Sequence, residues 1–85
     1  MRFKYADAAA TYSITSVSRL ERVVVGTPVD TATITLRFAS SDDVFSTITC
    51  SGTGAFELDY GIDFDTPVDI EIVQSGATDA TVIYE

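Results

Sequence analysis

The side chains best able to do chemistry lie in one stretch, Glu57-Leu58-Asp59-Tyr60-Gly61-Ile62-Asp63-Phe64-Asp65-Thr66-Pro67-Val68-Asp69. Carboxylates at this density suit two chemistries. Calcium takes about six to eight oxygens, several of them from carboxylates converging out of a loop. Asp59, Asp63 and Asp65 flank a glycine turn and offer three such groups. Their spacing is not that of an EF-hand, where acids alternate ahead of a glycine and a closing glutamate. A carboxylate pair also suits glycoside hydrolysis, one acting as acid and the other as nucleophile or base. That reaction needs a sugar cleft walled by stacking aromatics, and an 85-residue chain without Trp has little to build it from. The alternation of Phe56, Leu58 and Tyr60 with Glu57 and Asp59 offers a plainer role, acids on the solvent face of a strand. A solvated acidic face, with no metal and no cofactor, is the expectation.

The remaining inventory argues against catalysis. Without His there is no Ser-His-Asp or Cys-His arrangement and no imidazole titrating near neutrality. A single Cys, Cys50, makes neither an intrachain disulfide nor a thiolate zinc site. It has no basic sequence neighbour to activate it and reads as a small core or strand-end residue. The only Lys is Lys4. The four Tyr and five Phe are most simply core and sheet-face residues, so the chain is expected not to be an enzyme.

The elements that must position these residues are strands. Ala32, Ile34, Leu36 and Phe38 alternate with Thr33, Thr35 and Arg37, and Val68, Ile70 and Ile72 alternate with Asp69 and Glu71. Twelve Thr residues favour pleated over helical backbone. Turn residues at 26–28, 40–43, 51–54, 61, 66–67 and 75–77 divide the chain into expected strands at 2–5, 11–17, 20–25, 31–39, 44–50, 55–60, 67–74 and 80–84. This spacing predicts a single all-β domain over 1–85, a small antiparallel β-sandwich or flattened β-barrel of seven or eight short strands. The expected core is Ile14, Val24, Ile34, Leu36, Phe38, Ile48, Phe56, Leu58, Ile70, Ile72 and Val82.

Charge is segregated along the chain. All five bases, Arg2, Lys4, Arg19, Arg22 and Arg37, lie in the first 37 residues beside three acids, whereas residues 38–85 hold ten acids and no base. Such asymmetry suits either pairing within one sheet or head-to-tail contact between copies. A net charge of −8 works against nucleic acid and anionic membrane. The chain lacks an apolar run of membrane-spanning length and a signal peptide's apolar stretch, so a soluble protein is expected.

Interface candidates lie at the two ends. Arg2-Phe3-Lys4-Tyr5 alternates base with aromatic inside a possible N-terminal arm, 1–11, and Val82-Ile83-Tyr84 lies in a last strand expected either as an open edge or, with 2–5, paired inside its own monomer; Arg19 and Arg22 are further basic candidates. In size and in its Ser/Thr/Ala/Val/Asp-rich β pattern the chain is similar to the accessory proteins of bacteriophage heads, a class of decoration, cement and fibre-base modules. That likeness is one of composition rather than motif. It implies a structural assembly protein acting through a protein partner or self-association, located in a virion and otherwise in the cytoplasm. The alternatives are a peptide- or carbohydrate-binding β-module and an acidic regulatory protein that mimics an anionic partner.

Overall fold

The computed structural model describes residues 1–52 and 54–85; Thr53, inside the expected turn at 51–54, lies outside the described residues. Six strands form: β1 (Arg2–Ala6), β2 (Thr11–Val25), β3 (Thr33–Phe38), β4 (Val44–Thr49), β5 (Phe56–Gln74) and β6 (Ala80–Tyr84). They build one antiparallel sheet in the order β1-β6-β2-β5-β3-β4, with no helix among the described residues. The all-β antiparallel expectation holds, and two of its details change. The sheet is open, not a closed barrel. The strand count is six because 11–17 joins 20–25 as β2, and 55–60 joins 67–74 as β5.

Both mergers have a physical reason. In β5 the even-numbered residues Phe56, Tyr60, Ile62, Phe64, Val68, Ile70 and Ile72 all belong to or pack on the core, so period two runs on through Gly61 and Pro67. Pro67 is tolerated because residues 64–67 lie between the pairs Val17↔Val68 and Arg19↔Asp63, opposite Ser18 alone, where no regular ladder bond is lost. Strand β2 absorbs the mismatch by slipping. Its core residues Ile14, Val17, Leu20 and Val23 fall three apart, and the register shifts between Ile14 and Val17, Val17 and Arg19, and Leu20 and Arg22. Bulges of this kind bend a strand and increase its twist. Two of them contain a residue in the left-handed region, Ser16 at φ 55° and Gly61 at φ 60°. A Cβ on Gly61 would also stand 3.3 Å from an Arg19 guanidinium nitrogen.

The bends let one ribbon serve two half-sheets. Residues 19–25 of β2 pair with the start of β5, and much of that stretch pairs with β6 on its other side. Residues 11–17 pair with the end of β5, which pairs in turn with β3. Inner side chains from both halves, including Val23, Val25 and Val82 from one and Ile34, Leu36 and Ile48 from the other, form a single cluster with the buried Cys50. Side chains bridge the seams that the ladder leaves open. Gln74 donates from Nε2 to the Ala6 carbonyl at 2.7 Å, and the Arg2 guanidinium donates to the carbonyls of Thr15 and Ser16. On the far side the hydroxyls of Ser46 and Tyr60 lie 2.8 Å apart.

Several expected placements change. Val24 is half-buried on the outer face, while Val23 and Val25 enter the core. Phe38 and Phe56 are half-buried and Leu58 is 40% exposed. The last strand is not an edge: β6 lies between β1 and β2, and Val82 is fully buried. Segment 2–6 is likewise no free arm here, being paired with β6 from Arg2↔Tyr84 to Ala6↔Ala80. The chain ends meet, the N-terminal amine standing 3.8 Å from the Glu85 carboxylate.

Ile34→Ala or Ile70→Ala should each lower unfolding free energy by about 2–5 kcal/mol in urea titration, as cavities in a closed core. Gly61→Ala should cost about 1–3 kcal/mol for its backbone conformation. Gly26→Ala, whose Cβ would meet nothing nearer than 3.8 Å, should be close to neutral.

Candidate functional site

The acids of β5 face bases on both neighbouring strands. Arg19 lies opposite Asp63 and Arg22 opposite Asp59 in the β2–β5 ladder, and Arg37 of β3 lies opposite Glu71. The side chains follow the register. Arg19 Nη1 donates to Asp63 Oδ1 at 2.7 Å and Arg19 Nε donates to Glu21. Arg22 stands 3.3 Å from Asp59 and 3.5 Å from Glu57. Arg37 Nε donates to Glu71 at 2.9 Å, with Asp42 at 3.8 Å. The hydrogen bond to Asp63, then that to Glu21, holds the Arg19 proton more tightly than in a free arginine. Exposed pairs of this kind contribute little stability, so their main effect is on strand choice and register.

The three candidate calcium ligands are not brought together. Asp59 and Asp63 are each committed to an arginine, and Asp65 lies six residues beyond Asp59 on the same strand, a span of roughly 20 Å for extended chain. Among the described residues no three His, Cys, Asp or Glu side chains converge on a point that would hold a cation. A shallow depression of about 310 Å³ opens at the end of β2 and β5, lined by Val24, Val25, Gly26, Ala55, Phe56 and Glu57. Glu57 supplies its only ionisable side chain, so it holds no acid–base pair.

What the fold does assemble is an apolar margin on the outer face. In β1, Ala6 is buried and Lys4 half-buried, whereas Phe3 is 71% exposed and Tyr5 52% exposed. The expected alternation of base and aromatic is thus present, with the aromatics turned to solvent. Continuing across the sheet, one outer row runs Phe3–Ile83–Arg22–Asp59 and the next runs Tyr5–Thr81–Val24–Glu57. The face therefore grades from aromatic at the β1 edge, through aliphatic and basic positions, to acid on β5. Met1 extends the apolar end. Of the terminal candidates, Ile83 lies on this face, while half-buried Tyr84 carries the Arg2 guanidinium 4.6 Å above its ring. The rows escaped the sequence reading because they join β1, β6, β2 and β5. The one local signal was small Ala6 in step with Arg2 and Lys4, fixing which side turns inward.

The Tyr5 hydroxyl donates to Asp79 Oδ1 at 2.9 Å. That hydrogen bond, then desolvation and the negative charge of Asp79, raises the phenol above the ordinary tyrosine value. Neither a protein-family model nor a curated protein matches the sequence. No helix among the described residues is long and apolar enough to cross a membrane.

Two outcomes follow from this geometry. The melting temperature should be the same in chelator and in millimolar calcium, because a bound cation would raise it by mass action. In an ultraviolet titration Tyr5 should ionise above a free tyrosine, and Asp79→Asn should bring it back down. A raised phenol pKa favours the protonated folded state, so this pair stabilises the fold below the ordinary tyrosine range. Its contribution is lost as pH climbs through the raised value.

Proposed function

We propose that the chain is a non-enzymatic structural module that assembles with copies of itself, of the class of small accessory proteins that decorate or cement a virus head. In this reading it is soluble until it joins the particle, and the folded sheet serves as a small, flattened sandwich. The observation that carries the reading is the outward placement of Phe3 and Tyr5 on an edge strand, continuous with Met1 and Ile83. Exposed aromatic residues grouped in this way are typical of surfaces that another protein covers. The acidic remainder of the outer face favours a protein partner over nucleic acid or anionic membrane.

Light scattering on a sizing column tests the reading. The wild-type chain should elute with a mass that is a multiple of 9.1 kDa. Phe3→Ser with Tyr5→Ser should return it to the monomer with an unchanged circular dichroism spectrum, since neither side chain is in the core. A wild type that stays monomeric at high micromolar concentration overturns the reading.

A further inference from the structure

We infer that the open edge at the start of β5 receives the N-terminal segment of a second copy, by strand exchange. The proposal rests on the assembly reading and names its partner and its contact. Two unsatisfied patterns support it, one on each side.

The receiving side is a strand with one vacant flank. From Phe56 to Asp63, β5 pairs with β2 only, Phe64 and Asp65 continue into the bulge opposite Ser18, and pairing with β3 begins at Ile70. Among the described residues nothing hydrogen-bonds as a ladder along that flank. A bare edge of this length is a template for another strand. Its two faces differ: Leu58, Tyr60, Ile62 and Phe64 lie on one, and Glu57, Asp59, Asp63 and Asp65 on the other. Leu58 is 40% exposed, and Asp65 has no hydrogen-bond or ion-pair partner among the described residues.

The donating side is β1. Its order, base-aromatic-base-aromatic, is the complement of that edge, yet in its own sheet the aromatics face solvent and the cations turn inward. Arg19, Arg22 and Arg37 are neutralised within the chain, whereas Arg2 and Lys4 have no carboxylate partner among the described residues. Strand β1 pairs with β6 alone and Ala6 is its only fully buried residue; its release gives up that ladder and the Gln74 and Arg2 hydrogen bonds, which the new pairing has to offset. Antiparallel pairing with Lys4 opposite Asp63 sets Arg2 opposite Asp65, Phe3 opposite Phe64 and Tyr5 opposite Ile62. Charges then meet charges on one face and apolar groups meet on the other. Donor and receiver are different surfaces, so the contact is head-to-tail and closes into a ring or continues as a filament.

The test uses the full chain and a labelled synthetic peptide of residues 1–7. The peptide should bind the wild-type chain saturably. Binding should fall at least tenfold when the peptide carries Arg2→Glu and Lys4→Glu, and at least tenfold when the chain carries Asp65→Lys. In the full chain, Arg2→Glu and Asp65→Lys should each disperse the assembly, and the two together, which face each other in this register, should restore it. Equal binding of the charge-reversed peptide overturns the inference. So does an assembly that both single variants keep while Phe3→Ser with Tyr5→Ser abolishes it; that result leaves the assembly reading standing. A wild type that never assembles overturns both.

Discussion

The fold depends on a mismatch between two long strands. β5 keeps one side inward through most of nineteen residues, while β2 must stay beside it with fifteen. The difference is taken up by local slips of register, and each slip turns the ribbon. Without them the β2–β5 ribbon would be flatter, with one face to bury and nothing to bury it against. With them, the two ends of the ribbon carry separate groups of strands whose buried residues belong to one core cluster. The left-handed backbone at Ser16 and Gly61 is therefore part of how the core is made.

The same device explains what was legible in the sequence. β3 could be read directly because Ile34 and Leu36 alternate with Thr33 and Thr35 between clear turns, and both became core. In β5 the signal was present but masked: Ile62 and Phe64 continue the alternation across Gly61 and Pro67, residues whose usual meaning is a break. In β2 the signal was distorted, since bulges replace a period of two by steps of three. The run Val23-Val24-Val25 has no parity of its own, and only its register against Glu57 and Leu58 turns Val24 outward. The last strand was misplaced for a related reason. Apolar residues on both faces at a chain end look like a bare edge, but they are also what a strand flanked on both sides needs. Outer-face rows were beyond reach, because four separate segments compose each one.

Charge segregation along the sequence becomes charge alternation across the sheet. The bases of β2 and β3 come from the first half of the chain and the acids of β5 from the second, and β5 lies between those two strands. Arginines thus flank the acidic strand from both sides, at Arg19 and Arg22 on one and Arg37 on the other. Opposite charges placed across from one another favour this arrangement of the three strands. What these pairs do not neutralise includes the cations of β1 and surplus carboxylates along β5.

The position of β6 bears on how the chain is made. It is the last of the six strands in sequence, yet it lies between β1 and the body of the sheet. As the polypeptide leaves the ribosome, β3 and β4 can pair first, and β2 joins them only once β5 has emerged. Because β1 pairs with β6 alone, closing the sheet requires the two to find each other across the rest of the fold, a pairing of large sequence separation and correspondingly slow. Until then the β1 segment, with Phe3 and Tyr5, has no ladder partner in the sheet.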